Sequence, residues 1–160
     1  MRYLALISLI LSGCYSFSGI SIAPEVKTYY VGLFEDNTDE SLPNLAQNMS
    51  EALKEKIRTE SRLIFLDVDP DVEFKGTIVD YRISSEAPRP GEISAINRLT
   101  IVLSVEYLNN KTEGKGWTRN FQFFYDFSSD TDLSSVQDRA IKTITDQIME
   151  DIFNAAFADW

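Results

Sequence analysis

Few side chains in this sequence could carry covalent or acid–base chemistry. There is one cysteine, Cys14, and no histidine. A metal site built from imidazole and thiolate is therefore excluded. So is a nucleophile paired with an imidazole base, and so is an internal disulfide. Carboxylates remain: Asp36 with Asp39, Asp67 with Asp69 and Asp71, and Asp130 with Asp132. A calcium loop needs ligands at set spacings, a glycine turn and a closing glutamate, and none of these runs has that pattern. Turn and cap chemistry accounts for them instead. A carboxylate-based glycosidase would need two carboxylates converging in a cleft, for which a chain this small leaves little room. The reading is a non-enzyme with no cofactor. Six cations, Arg82, Arg89, Arg98, Lys111, Lys115 and Arg119, fall on or between three alternating segments. They have the chemistry to meet phosphate groups. Solvated edge charges that discourage strand aggregation are the simpler reading of them.

The single thiol has a telling neighbourhood. Met1-Arg2-Tyr3 carries a positive charge, and Leu4 to Leu11 is apolar except for Ser8. That run is far short of the roughly 20 residues a spanning helix needs, so it reads as an export signal, residues 1–13. Leu11-Ser12-Gly13-Cys14 follows and resembles the lipobox of bacterial lipoproteins. The small Ser12 and Gly13 let a peptidase close around the backbone, with cleavage between Gly13 and Cys14. The Cys14 thiol is the side chain that takes a thioether-linked diacylglycerol. Acyl chains such as palmitate add about 0.8 kcal/mol per buried methylene, and more than one chain makes the anchor stable.

Composition limits the partners. The 160 residues carry a net charge of −10. Removing residues 1–13 takes away one positive charge, Arg2, and leaves the rest more acidic still. Such a surface repels phosphate backbones, so no nucleic acid is expected. It cannot hold an anionic membrane by a polybasic patch, which leaves the task to the lipid. Hydrophobic residues make up 44% and charged residues 25%, an ordinary globular balance.

These groups need elements to position them. Residues 14–26, Ser-rich with Pro24, read as a lipidated terminus and tether, with Ile20, Ile22 and Val26 beginning to pack on the domain of residues 27–160. Lys27 to Phe34 is aromatic and β-branched, a buried strand. Residues 35–41 read as a polar loop, and Pro43 as part of a helix's first turn. Leu45, Met49, Leu53 and Ile57 recur every four residues and predict an amphipathic helix to about Thr59. After apolar residues 63–68 and a turn at Asp69-Pro70-Asp71, three strands are predicted. The first has Val72, Phe74, Gly76 and Ile78 in phase, then flips to Val79, Tyr81 and Ile83, which predicts a bulge near 78–79. Residues 84–92 read as a loop. The second strand aligns Leu99, Ile101, Leu103, Val105 and Tyr107. The third aligns Trp117, Phe121, Phe123, Tyr125 and Phe127, with Phe124 on the opposite face. The last two strands pair antiparallel through 109–116. A long helix follows from Asp132 or Ser134 to about Ala158, with Ser134 and Gln137 fitting a capping box. The order β-α-β-β-β-α predicts an α/β (α+β) two-layer sandwich: two helices on one face of a four-stranded mixed sheet.

Several stretches also resemble a family. Gly13-Cys14-Tyr15-Ser16-Phe17-Ser18-Gly19, Val31-Gly32-Leu33-Phe34-Glu35-Asp36-Asn37-Thr38, Glu51-Ala52-Leu53, Phe74-Lys75-Gly76-Thr77-Ile78 and Arg98 to Val105 occur in the order seen in the LptE family. The resemblance covers about residues 13–155. It implies a lipoprotein on the periplasmic side of the cell outer membrane, one that plugs the β-barrel LptD and helps it fold. It also implies a role in lipopolysaccharide transport and assembly, with LptD and lipopolysaccharide as partners and contacts through basic loop residues. The run Val31 to Thr38 is similar, too, to the opening of lipoproteins such as LpoB. That alternative would make the chain a module activating a peptidoglycan synthase.

Overall fold

The computed structural model describes residues 21–87, 95–112 and 115–158. Residues 1–13, read as an export signal, together with Cys14 and Arg89, lie outside the described residues. The elements are, in order, Thr28–Val31 (β1), Glu35–Asp36 (β2), Leu45–Glu60 (α1), Ile64–Phe65 (β3), Val72–Glu86 (β4), Ile96–Asn109 (β5), Trp117–Ser128 (β6) and Leu133–Phe157 (α2).

The predicted class holds: two helices cover one face of an open mixed sheet. Among the described residues the sheet has six strands rather than four, in the order β3-β1-β4-β5-β6, with β2 also on β4. β1 and β2 run parallel to β4, along Val72 to Phe74 and then Thr77 to Ile78. β3 runs parallel to β1. The two additional strands, β2 and β3, have two residues each, and no alternation within two residues can announce them. Their neighbours' backbones create them. The Asn37 N–H donates to the Ile78 carbonyl at 3.0 Å, and the Ile64 and Leu66 N–H groups donate to Lys27 and Tyr29 at 3.0 and 2.9 Å.

β4, β5 and β6 form an antiparallel meander in which Phe74, Tyr107 and Trp117 stand side by side. The register between β4 and β5 shifts between Ile78 and Asp80, where the phase flip predicts it. Val79 is the extra residue and is 44% exposed. The shift lets Ile78 and Tyr81 both face the helices. β4 continues to Glu86, into a stretch read as loop, because β5 offers partners as far as Ile96.

The start of α1 and the capping of α2 differ from expectation. α1 begins at Leu45 with Asn44 as its N-cap at φ 67°, so Pro43 precedes the helix instead of opening its first turn. Asn tolerates this left-handed backbone, and the kink separates Pro43 from the helix axis. α2 is capped by Asp132, whose carboxylate accepts the Ser134 N–H and hydroxyl, each at 3.0 Å. Ser134 therefore lies inside the first turn and is not the cap of a capping box. A carboxylate at that position also meets the positive end of the helix dipole.

The core lies between the layers. Met49, Leu53 and Ile57 of α1 and Ile144, Ile148 and Ile152 of α2 are fully buried against Phe74, Ile78, Ile101, Leu103 and Val105. Burying an aliphatic or aromatic side chain of this kind contributes about 1.5–3 kcal/mol. Lys56 joins the helices: its ammonium pairs with Glu150 of α2 and, at 2.7 Å, with Glu60. Among the described residues no helix is long and apolar enough to cross a membrane.

Candidate functional site

The alternation of β4 and β5 sends Arg82 and Arg98 to the sheet face that the helices leave open. Arg82 stands opposite Thr100, two residues along β5 from Arg98. Both are held. Arg98 grips Asp126 of β6 in a two-pronged contact, Nε to Oδ1 at 2.7 Å and Nη2 to Oδ2 at 2.8 Å. Its guanidinium carbon lies 3.9 Å from the centre of the Phe124 ring, and Glu86 is 3.8 Å away. Arg82 pairs with Asp80. Phe124 is 44% exposed, as its place opposite the aromatic row predicts. The open face thus presents an aromatic ring capped by a cation whose charge is already answered.

The other cations do not join this pair. Arg119 stands opposite Val105, which places it on the helix-side face, and its guanidinium lies 5.3 Å from the Trp117 ring. Lys111 and Lys115 belong to the connection between β5 and β6, at the far end of β5 from Arg98. Asn109 lies eleven positions along β5 from Arg98, a span of about 37 Å. Arg89 lies outside the described residues. The six cations therefore form no single phosphate clamp among the described residues.

Two cavities lie at the Lys111 end, where the chain enters the domain. The Ser21 N–H donates to the Phe157 carbonyl at 2.8 Å. Beside this contact is a cavity of about 320 Å³ walled by Ile22, Tyr107, Trp117 and Phe157, with Asn109 and Lys115 polar in its lining. Tyr107 and Trp117 stack at 5.3 Å, and Phe157 meets Tyr107 edge-on. Tyr107 titrates above the usual phenol range because burial penalises its charged form. Three elements build this wall, so the spacing of residues within any one of them gives no sign of it.

The second cavity, about 580 Å³, is polar and lined by Tyr30, Asp67, Asp69, Asp71, Glu73 and Lys111, with Pro70 and Asn110. Asp71 is its structural hub. Its carboxylate accepts the Lys27 and Thr28 N–H groups at 2.7 and 3.0 Å and meets the Lys111 ammonium at 2.9 Å. The Lys111 ammonium first, and those two backbone donors with it, hold the carboxyl at about 2, well below the usual carboxylate range. The residue thereby ties β1, β4 and the β5–β6 connection together, which goes beyond the turn role its sequence position suggests. No group of three or more potential metal ligands converges among the described residues. The arrangement can bind and position; nothing in it assembles a nucleophile, a base and an oxyanion site.

The sandwich recurs in solved structures. The hypothetical protein CT253 from Chlamydia trachomatis superposes with a TM-score of 0.56 at 9% identity, over 81% of this chain and 96% of that one. Uncharacterized lipoprotein B from Nitrosomonas europaea gives 0.53 at 9% identity, over 80% of each chain. Protein XCC0632 from Xanthomonas campestris gives 0.52 at 9% identity, over 84% and 87%. At such identities the likeness is one of fold. No curated protein matches the chain in sequence. The family model for LptE, lipopolysaccharide-assembly, matches residues 26–156, which takes in β1 to all but the last residue of α2. With that match across the whole sandwich, the chain belongs to the LptE family of lipopolysaccharide-assembly proteins.

Proposed function

We propose that this chain is a lipoprotein anchored through Cys14 to the periplasmic side of the outer membrane. There it plugs the LptD β-barrel, helps it fold and assists lipopolysaccharide to the cell surface. The observation that carries this reading is the family match over residues 26–156. The physical design supports it. A plug must be rigid, and the two layers share one continuous core. A barrel lumen is polar and often water-filled, and the open sheet face carries the charged groups Arg82, Arg98 and Asp126 around the exposed Phe124 ring. A net charge of −10 would be drawn to a basic lumen, which favours fast and specific docking. The role is one of assembly, without a catalytic step or a cofactor.

The test is a pull-down of the detergent-solubilised lipoprotein, with the size and heat-modifiability of the captured partner recorded. A one-to-one complex with a heat-modifiable barrel is expected. Depletion of the protein should lower barrel abundance and surface lipopolysaccharide together. Capture of a penicillin-binding protein, with both of those levels unchanged, would replace this reading with the LpoB-like one.

A further inference from the structure

We infer that, in the lipoprotein before it enters the barrel, β3 and the turn after it form a membrane-contact wedge that orients the domain on the bilayer holding its lipid anchor. This rests on the proposed acylation of Cys14. β3 is one of the two edge strands of the sheet, opposite β6. Natural edge strands are kept short, charged or covered. This one is short but strongly apolar, and it is uncovered: Ile64 and Val68 are 68% and 66% exposed, Phe65 and Leu66 45% and 40%. Strand alternation sends Ile64 and Leu66 to one face of the edge and Phe65 to the other, where Phe65 lies 5.7 Å from the Tyr29 ring. Both sides of the edge are therefore greasy, a shape suited to insertion between lipids. A ladder of two residues is too short to template an added strand, which relies on a run of main-chain hydrogen bonds.

The position of the wedge relative to the anchor supplies the occupant. The Arg62 guanidinium donates to the Ile22 and Ala23 carbonyls at 3.0 and 3.3 Å, and the Ile64 N–H donates to the Lys27 carbonyl at 3.0 Å. The wedge thus starts two residues from the point where the N-terminal chain meets the domain. Cys14 is seven residues before Ser21, a reach of at most about 25 Å when fully extended. An acylated Cys14 would hold this end of the domain within that distance of lipid, together with the β5–β6 end, where the Ser21 N–H meets the Phe157 carbonyl; of the two, only the β3 end exposes a cluster of large apolar side chains among the described residues. The flanking charges are mixed: Arg62 and Lys54 stand on one side, with the Lys54 ammonium 5.7 Å from the Phe65 ring centre, and Asp67 and Asp69 follow in the turn. That balance suits a zwitterionic headgroup layer and not an anionic one. The apolar side chains would add binding in proportion to the area they bury in the headgroup–acyl boundary.

The experiment uses the full mature lipoprotein in phosphatidylethanolamine–phosphatidylcholine vesicles. Ile64→Cys and Val68→Cys, at two exposed positions, carry an environment-sensitive fluorophore. Lys142→Cys, on the outer face of α2 with its side chain 76% exposed, is the reference. Intact mass reports whether Cys14 is acylated. The expected result is blue-shifted emission at 64 and 68, quenched by an acyl-chain quencher in the lipid severalfold more strongly than at 142. Quenching equal to that at 142 in an acylated protein overturns the wedge and leaves the anchor standing. A blue shift that requires the barrel and is insensitive to the lipid quencher assigns the surface to protein contact and likewise overturns it. An unacylated Cys14 overturns the anchor and the wedge together.

Discussion

Phe34 lays its ring against Gly76: a Cβ placed on Gly76 would stand 2.7 Å from Phe34 Cδ1 and 2.8 Å from two more ring carbons. The ring is 3% exposed, so it has nowhere to retreat. The contact joins the segment after β1 to the middle of β4, and it explains why a residue without a side chain sits in the buried face of a long strand. Gly76→Ala should destabilise the fold by about 1–3 kcal/mol through overpacking. Gly32→Ala is the matched control, since its Cβ would meet the Phe74 carbonyl at an ordinary 3.6 Å. Urea unfolding of both variants checks this. Equal midpoints would show that the ring yields at no cost.

Asp71 links stability to pH. Its folded-state pKa of about 2 is below the ordinary value of 3.8, so its contribution is present above about pH 4 and is lost as the pH falls toward 2. At neutral pH that contribution is on the order of 1–2 kcal/mol, allowing for screening by water at the exposed Lys111. Asp71→Asn should lower stability at pH 7 by that amount and match the parent near pH 2. A gap between the two that stays constant from pH 7 to pH 2 would rule out the ionic role.

Leu53 and Ile144 sit on the helix faces that cover the sheet, each with no exposed surface. Leu53→Ala and Ile144→Ala should each cost about 2–5 kcal/mol, from lost burial and a cavity that neighbours only partly fill. Thermal melts with unchanged midpoints would contradict this packing.

Arg98 and Asp126 offer a contrast. Their contact is bidentate at 2.7 and 2.8 Å but lies on the solvent side of the sheet. Arg98→Ala should change stability by less than about 1 kcal/mol. A loss of partner capture in the pull-down without a loss of stability would identify the open face as the docking face.

Cys14→Ala should abolish lipid labelling and give a soluble or unprocessed protein. Metabolic labelling with a fatty acid and fractionation of membranes check it. Persistent membrane association with no label would show that attachment does not depend on acylation at this position.

Local periodicity determined the three long strands and both helices. Alternation in Leu99 to Tyr107 and the four-residue recurrence of Leu45, Met49, Leu53 and Ile57 are properties of a single element, legible before any partner is known. The bulge at Val79 was legible for the same reason, because one inserted residue inverts the phase of all that follow. The absence of histidine and the setting of Cys14 bounded the chemistry just as directly, since they require no geometry. Tertiary structure alone decided the rest. β2 and β3 exist because β4 and β1 offer them hydrogen-bond partners. Asp71 becomes a hub only when Lys27, Thr28 and Lys111, remote in sequence, converge on it. The five described cations, Arg82, Arg98, Lys111, Lys115 and Arg119, divide between opposite faces and ends of the sheet for a related reason. Sequence proximity places residues along a strand, but register and pleat decide which side of a sheet each one faces.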